Sequence, residues 1–453
     1  MLIKKSSPVL LLLLLLSGTS AFAQVASPAR KVPARRAAVA VRPAAAPATI
    51  STANAQRIDE LLTEYTAANR VPGAIALVLQ NGQVVYRKAF GLADVAAQVP
   101  LRTDAIVRIA SQTKAVTSAG LMLLYDEGKF QLDDPISKYL PAFANAKVLA
   151  TFNAADSSYT TVPAQREVTI RQLLTHTSGI SYPVIGTREA TAIYAKAMIP
   201  SGIGTPTGTL ATAMDALGKL PLLHQPGEQF TYGLSVDVLG RLVEVLAGQP
   251  LDQYLRRRLF EPLGMRDTWF YLPPDKQARL ATLYSEDAAK ATVPMKPIDR
   301  MVPDYPKAKG TYFSGGAGLS STIDDYAVFL QMLLNGGIYN GQRLLKPATV
   351  ALMTQNQIGE VNQGDHKFSL GFSLTTAKNV QPYGPSEGSY EWGGIFGTTY
   401  WVDPKAKLVA LVYTQKYPSS TSRDLAGKFK KAVYQSFVPD QSATAAPANS
   451  GTK

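Results

Sequence analysis

The sequence contains no cysteine and only three histidines, His176, His224 and His366. A chain without cysteine forms neither disulfides nor thiolate metal sites, and it cannot use a cysteine nucleophile. The three histidines are far apart and show neither the HxH nor the HExxH spacing of zinc sites. We therefore expect no metal and no cofactor, and any nucleophilic chemistry has to come from another residue type.

Apolar runs long enough to span a membrane are also missing. The apolar run near the N-terminus, residues 9–16, is far shorter than the ~20 residues that a transmembrane helix needs. It follows two lysines and precedes a small-residue site, Ala-Phe-Ala at 21–23. This three-part arrangement is typical of a secretory signal peptide. The sequence therefore predicts export, to the periplasm or the medium, with residues 1–23 removed and a mature chain that begins at Gln24.

The formal net charge is +13, but basic residues near the N-terminus account for most of it. Residues 1–58 contain eight basic side chains and no acidic one, which leaves 38 of the 46 basic residues against 33 acidic residues. So small an excess of basic over acidic residues, spread over the rest of the chain, does not form a phosphate-binding stripe. We therefore expect no nucleic-acid partner. Residues 24–53 are rich in Ala, Pro and Arg and are predicted to be a disordered linker. Its charge is expected to give at most weak contact with anionic surfaces.

The pattern of apolar residues predicts an α/β chain of the α+β type, folded from residue 54 to 437. Two strand-like runs, AIALVLQ and QVVYRKAF, are joined across Asn81-Gly82, which is a strong hairpin signal. Mostly helical patterns occupy about 130–310, and four strand-like runs and a helix follow. Strands at both chain ends predict one antiparallel sheet, flanked by helices, with an inserted helical region. Residues 438–453 are small and polar and are expected to be a disordered tail.

One helix carries an unusual polar pair at its start. In ASQTKAVTSAGLMLLYDEG, residues 110–128, Ser111 stands three positions before Lys114, ahead of a segment that is apolar nearly all round. Residues three apart lie on one face of a helix, so the lysine amine is predicted to lie beside the serine hydroxyl. Burial favours a neutral lysine that can accept a proton. The pair therefore predicts an activated serine nucleophile, and the alternative is a serine that merely caps the helix.

Five segments together carry a family resemblance. They are IASQTKAVTSAGLMLLYDEGKFQLDDPISKYLP, LLTHTSGI, QPGEQFTYGLSVDVLGRLVE, GGAGLSSTIDDYAVFLQMLLNGG and WGGIFGTTYWVDP. In this order they resemble the serine β-lactamase-related superfamily, which includes class C β-lactamases, penicillin-binding DD-peptidases, D-aminopeptidases and family VIII carboxylesterases. The resemblance spans roughly residues 55 to 436. It implies a catalytic domain with the β-lactamase/DD-peptidase-like fold at 54–437, which acts on a small-molecule ester or amide through an acyl-enzyme.

The resemblance also implies roles for particular residues. Ser111 and Lys114 match the family's SxxK motif. Tyr232, in FTYGLS, occupies the place of a tyrosine that passes a proton between the nucleophile, the lysine and the leaving group. Trp392-Gly393-Gly394 matches a strand that lines the pocket, and the backbone N–H of Ile395 would join that of Ser111 in an oxyanion hole.

Two positions depart from the β-lactamase and peptidase pattern. Leu234 replaces the asparagine of the family's second motif, and Trp392 replaces the lysine of its third motif. In the family those polar groups hold the amide and the carboxylate of a β-lactam or a D-Ala-D-Ala end. With Leu234 and Trp392 in the pocket, the resemblance implies a carboxylesterase of the family VIII type that takes small neutral esters. The alternatives are a β-lactamase or D-amino-acid/DD-peptidase, and a non-catalytic, penicillin-binding-like regulatory module.

Several other polar residues are assigned structural roles. His176 is expected to make structural hydrogen bonds. Asp237 is expected at the start of a helix, and Asp324 and Asp325 are expected in the first turn of another helix rather than as a carboxylate pair. The long, proline-rich loop 284–313 is predicted to form a lip of the pocket.

Overall fold

The computed structural model describes residues 52–298 and 301–437. The predicted signal peptide, nearly all of the predicted linker and the predicted C-terminal tail lie outside the described residues. Within those two ranges, no helix is both long enough and apolar enough to cross a membrane.

In the described residues, the secondary structure consists of strands β1 to β16 and helices α1 to α11, joined by loops and short 3-10 turns, with a π-helical turn at Arg256–Phe260 between α7 and α8. The strands are β1 (Gly73–Gln80), β2 (Gln83–Asp94), β3 (Val99–Pro100), β4 (Val107–Arg108), β5 (Lys147–Phe152), β6 (Tyr159–Pro163), β7 (Tyr284–Glu286), β8 (Thr292–Pro294), β9 (Ser320–Ser321), β10 (Ile338–Tyr339), β11 (Gln342–Arg343), β12 (Lys367–Phe368), β13 (Ser373–Leu374), β14 (Tyr390–Gly394), β15 (Thr398–Asp403) and β16 (Leu408–Tyr413). The helices are α1 (Thr52–Ala67), α2 (Thr113–Asp126), α3 (Ile170–Leu174), α4 (Arg188–Lys196), α5 (Leu210–Leu217), α6 (Ser235–Ala247), α7 (Leu251–Leu255), α8 (Glu261–Leu263), α9 (Ile323–Leu334), α10 (Pro347–Thr354) and α11 (Ser422–Gln435).

The main sheet has eight strands in the order β12-β13-β14-β15-β16-β1-β2-β3, and all neighbours are antiparallel. Strand β1, from the N-terminal part, pairs with β16, from the C-terminal part, and Leu77 stands opposite Leu411. The sheet is therefore completed by both ends of the chain, which confirms the fold predicted from the sequence.

The turn between β1 and β2 explains why the Asn-Gly pair is a reliable hairpin signal. Asn81 has a φ of 52° and Gly82 a φ of 77°. A two-residue turn with both φ angles positive matches the right-handed twist of the strands, and asparagine and glycine adopt these angles at little cost.

The sheet buries both faces. Along β1, alternate side chains point to opposite sides, as the period of a strand requires. Ala76 and Val78 belong to a cluster with apolar residues of α1 and α11, whereas Leu77 and Leu79 belong to the larger core that contains α2 and α9. Twelve residues of α2, from 113 to 124, are buried, so this helix runs through the core and holds its N-terminal end in a fixed position.

The inserted middle of the chain contains strands that the sequence pattern did not predict. The hairpin of β5 and β6 lies within the region expected to be mostly helical, and the hairpin of β7 and β8 lies within 284–313, which was expected to be a loop. Most residues of β5 and β6 are exposed or half-buried, so their sequences lack the regular apolar alternation of a strand with one buried face.

Candidate active site

Ser111 lies in a 3-10 turn, Ala110–Gln112, that leads directly into α2. The N-cap residue of α2 is Gln112, and no side chain caps this helix end. The interpretation of Ser111 as a helix cap is therefore excluded. The residue before it, Ala110, has a φ of 42°, in the left-handed region that residues with a Cβ rarely adopt. Such a conformation costs on the order of 1 kcal/mol and needs support from the surrounding structure.

Lys114 directs its amine at three oxygen atoms. Its side chain is only 1% exposed. The Nζ atom donates hydrogen bonds to the Tyr182 hydroxyl and the Gly316 carbonyl oxygen, both at 2.8 Å, and lies 3.4 Å from the Ser111 Oγ atom. The predicted pairing of the amine and the serine hydroxyl is thus present, and the separation is close to the range in which a proton can pass between them.

Two tyrosines flank the amine, and they differ in exposure. Tyr182 is fully buried and accepts the hydrogen bond from Lys114, whereas Tyr232 is half-buried. The Lys114 Nζ atom lies 4.6 Å from the centroid of the Tyr232 ring, and the two tyrosine rings are 5.4 Å apart. Burial, followed by the proximity of Tyr232, raises the pKa of the Tyr182 hydroxyl well above its usual value. Tyr182 therefore stays protonated at neutral pH, and its oxygen holds the amine in place.

Asp237 lies on the far side of Gly316 and belongs to the same polar centre as Ser111, Lys114 and Tyr182. It lies in the first turn of α6, as predicted, but it is also fully buried. Its Oδ1 atom accepts a hydrogen bond of 2.7 Å from the Ser314 hydroxyl. A Cβ atom at Gly316 would clash with Asp237 Oδ2 and would stand 3.4 Å from Lys114 Nζ. Burial raises the pKa of the Asp237 carboxyl, and the hydrogen bond from Ser314 and the nearby charge of Lys114 oppose this rise.

His176 does not have the role predicted for it. Within the described residues, neither of its ring nitrogens has a hydrogen-bond partner. Its ring instead packs against aromatic rings, with centroids 4.8 Å from Tyr232, 5.7 Å from Phe368 and 5.8 Å from Phe230. Burial, assisted by the charge of Lys114, holds the pKa of His176 well below its ordinary value. The histidine is thus a neutral packing residue behind Tyr232, because the apolar site offers no partner.

Strand β14 brings the third predicted motif against the serine turn. A Cβ atom at Gly394 would clash with the carbonyl oxygen of Ile109, two residues before Ser111, and with the Thr398 hydroxyl. Glycine is therefore required at this position, because the strand and the backbone of the turn touch. Ile395 follows directly in the turn between β14 and β15. The oxyanion hole formed by the N–H groups of Ser111 and Ile395 stays a prediction.

The two departures from the family pattern lie in different surroundings. Trp392 is half-buried, and its ring packs 5.5 Å from the ring of Tyr232 and 5.3 Å from that of Phe368. It therefore forms an aromatic wall next to the polar centre. Leu234, in contrast, has no exposed surface and belongs to the main hydrophobic core. The expectation that Leu234 lines the open pocket is wrong, because the start of α6 carries this side chain into the core.

The described residues offer no other cluster with obvious chemistry. In the two described ranges, no group of three or more acidic or histidine side chains could hold a metal ion. Asp324 pairs with Arg87 at 2.5 Å, whereas Asp325 accepts hydrogen bonds from the backbone N–H of Asp267 and from the Thr268 hydroxyl. Both acids lie in the first turn of α9, as predicted, and they do not work as a pair.

Comparison with known proteins assigns the family. The model of the Beta-lactamase family matches residues 58–435. The chain belongs to the Beta-lactamase family. Esterase EstB of Burkholderia gladioli is 30% identical over 84% of this chain and 95% of its own length. A lovastatin esterase of Penicillium rubens is 28% identical over 83% of this chain and 98% of its own length. Among solved structures, EstCE1, described as a hydrolase with promiscuous acyltransferase activity, superimposes with a TM-score of 0.72 at 28% identity, over 84% of this chain and 98% of EstCE1.

In this member of the Beta-lactamase family, the structure gathers most of the predicted site residues in one place. Ser111, Lys114 and Tyr232 lie together, and the Trp392-Gly393-Gly394 strand borders them. The sequence did not predict a role for Tyr182, because this residue lies in a loop just after the family segment LLTHTSGI and belongs to no motif. The family and its esterase and acyltransferase relatives identify the chain as a serine hydrolase.

Proposed function

We propose that this serine hydrolase cleaves uncharged carboxylic esters through an acyl-enzyme on Ser111. The observation that carries the proposal is the position of Trp392. An indole packs beside Tyr232 where the peptidase and β-lactamase branches carry a lysine. An apolar wall leaves a substrate carboxylate without a partner, and an unpaired charge that loses water is strongly disfavoured. A neutral ester avoids this cost.

The geometry supports a two-step reaction. In the first step, Ser111 Oγ attacks the ester carbonyl, and its proton passes to the Lys114 and Tyr232 pair and then to the departing alkoxide. In the second step, water attacks the acyl carbonyl and gives its proton to the same pair, the bond between the carbonyl carbon and Ser111 Oγ breaks, and the pair returns the proton to Oγ as the acid leaves. In both steps, the backbone N–H groups of Ser111 and Ile395 are proposed to stabilise the oxyanion. Tyr182 and the Gly316 carbonyl keep the amine in position.

The names of the relatives support the same class of substrate. EstB and the lovastatin esterase are both named as esterases, and EstCE1 is described as a hydrolase that also transfers acyl groups. A second candidate function follows from the last of these, namely transfer of the acyl group from Ser111 to an alcohol. It uses the same first step and differs only in what attacks the acyl-enzyme.

The test of the proposed function uses two serines of the same segment. Ser111→Ala should abolish hydrolysis of p-nitrophenyl butyrate and covalent labelling by a fluorophosphonate. Ser118 is a second serine, seven positions after Ser111. It is fully buried in α2, and no described residue forms a hydrogen bond with its hydroxyl. Ser118→Ala should therefore keep both the hydrolysis and the labelling. If Ser111→Ala keeps its rate, or if nitrocefin or a D-Ala-D-Ala peptide is the better substrate of the wild type, the proposal fails.

We also propose that the protein is exported, because its first 23 residues have the three parts of a signal peptide. N-terminal sequencing of the protein recovered from the periplasm or the medium should begin at Gln24. An uncut N-terminus on protein confined to the cytoplasm would contradict export, without any consequence for the chemistry proposed above.

A further inference from the structure

A cavity of about 620 Å³ opens next to the catalytic centre. Its walls come from four parts of the chain: residues within 183–203, two residues of the 284–313 loop, Ile395, and the pair Tyr417 and Pro418. This volume lies within the range of ~300–1,000 Å³ that is usual for sites that bind small molecules.

Two residues or groups of residues in the cavity wall adjoin the catalytic residues. Pro183, in its wall, directly follows Tyr182, whose hydroxyl accepts the hydrogen bond from Lys114. Ile203 and Ile395 pack in one apolar cluster with Ala110, the residue before Ser111. The cavity therefore lies beside the catalytic centre, where it can receive part of a substrate whose carbonyl reacts at Ser111.

The lining of the cavity is apolar and carries no charge. Its fourteen lining residues include no acidic, basic or amide side chain, and the only polar side-chain groups are hydroxyls. At the mouth, Val184, Ile185 and Ile298 are each about half exposed. A single exposed aliphatic side chain is ordinary, but several around one opening indicate a binding surface.

We propose that this cavity binds the hydrocarbon group of the substrate, so that the enzyme prefers esters of medium or long apolar groups over acetate esters. The inference rests on the proposed function, because it assumes that an ester reacts at Ser111. The same chemistry could place the hydrocarbon on the acyl side or on the alcohol side of the ester. Each methylene group that leaves water for the cavity should raise kcat/KM by about two- to fourfold.

The first test measures kcat/KM for two series of esters at concentrations below those at which they aggregate. The acyl series consists of the p-nitrophenyl esters of acetate, butyrate and octanoate, and the alcohol series of the methyl, butyl and octyl esters of butyric acid. One of the two series should rise by at least tenfold from its shortest to its longest member, and that series identifies the side that the cavity holds. If neither series rises, the inference is wrong.

The second test compares two valines of nearly equal exposure. Val184, at the mouth of the cavity, is 53% exposed, and Val84, in β2 and outside the cavity lining, is 54% exposed. Val184→Asp should lower the ratio of kcat/KM for the longest over the shortest ester about tenfold, because the carboxylate would be desolvated by the chain. Val84→Asp should leave that ratio unchanged. Equal ratios in the two variants would contradict the assignment of the cavity.

A binding measurement separates this inference from the proposed function. The Ser111→Ala protein should bind either methyl octanoate or octyl butyrate at least tenfold more tightly than methyl butyrate, as measured by calorimetry, whether or not the wild type turns these esters over. Equal binding of all three esters would overturn the cavity assignment even in an active esterase. Selective binding by a protein whose wild type hydrolyses no ester would overturn the proposed function and leave the cavity assignment standing.

Discussion

The polar catalytic centre and the apolar cavity beside it are built in different ways. In the centre, Lys114, Tyr182 and Asp237 are buried, and each makes hydrogen bonds that fix its side chain. Around the cavity mouth, half-exposed aliphatic side chains such as Val184 and Ile298 stand on loops. The difference indicates that the chemistry depends on a rigid core helix, whereas specificity depends on loops that can change without disturbing that helix.

This comparison has a kinetic consequence. Substitutions in the centre should lower kcat for every ester, because they alter groups proposed to act on the reacting atoms or to hold those groups in position. Substitutions around the cavity should instead change the relative kcat/KM of long and short esters. Single substitutions in the two regions should therefore separate effects on rate from effects on specificity.

The largest effect is expected at one of two buried lysines. Lys114 and Lys416 are both 1% exposed, but Lys416 pairs with Glu286 at 2.9 Å and donates to the Arg70 carbonyl, away from Ser111. Lys114→Met should lower kcat/KM for p-nitrophenyl butyrate by ~10³-fold, since it removes the proposed proton acceptor. Lys416→Met should lower the melting temperature, because Glu286 would lose its partner. The folded fraction of that variant, counted by fluorophosphonate titration, should keep its rate within threefold.

A smaller effect is expected from the tyrosines. Tyr232→Phe should lower kcat by ~10²-fold, because the variant loses a group proposed to transfer the proton. Tyr182→Phe should cost only ~10-fold, because it removes one of several hydrogen bonds that hold the Lys114 amine. Stopped-flow measurement of the p-nitrophenol burst gives both acylation rates. The reverse order of the two effects would assign the proton transfer to the buried tyrosine.

Two acids at the starts of helices provide the next comparison. Asp237, in α6, is buried near Lys114, whereas Asp324, in α9, is partly exposed and pairs with Arg87. Asp237→Asn should lower kcat about tenfold with little change in KM, because the variant loses the carboxyl group that lies near the Lys114 amine. Asp324→Asn should stay within twofold of the wild type. Equal rates for both variants would remove Asp237 from the catalytic centre.

The smallest effect is expected at Trp392. Trp392→Lys should shift the ratio of kcat/KM for nitrocefin over p-nitrophenyl butyrate towards nitrocefin by about fivefold, since a half-exposed ion pair contributes ~1 kcal/mol. Trp392→Phe is the control, because it keeps an aromatic wall without adding a charge. If the lysine and phenylalanine variants give the same ratio, Trp392 is not the reason for a preference for neutral esters.

The sequence predicted the parts of the site that depend on local patterns. Ser111 and Lys114 are three residues apart on one helical segment, so their proximity follows from helix geometry alone. The requirement for Gly394 also agrees with a strand that closely approaches another part of the chain. The antiparallel sheet followed from strand-like runs at both ends of the folded region, which need each other to complete their hydrogen bonds.

The features that the sequence did not predict depend on contacts between segments that are distant in the chain. Tyr182 stands in a loop, and its hydroxyl reaches Lys114 only after the chain between them has folded back. The burial of Leu234 depends on how the start of α6 packs into the core, and a comparison with the asparagine of the family's second motif carries no information about that packing. The cavity is formed by four segments that are far apart in sequence, so no single segment indicates its presence.

The central claim is that Ser111 forms an acyl-enzyme with neutral esters in preference to β-lactams. The most direct test is to mix the wild-type protein with p-nitrophenyl butyrate or with benzylpenicillin, quench the mixture in acid within milliseconds, and determine the intact mass and the modified peptide. We predict one butyryl group on the peptide that contains Ser111, and no comparable acylation by benzylpenicillin. Butyrylation of a different residue, or acylation of Ser111 by benzylpenicillin at a rate equal to that of the ester, would contradict the claim.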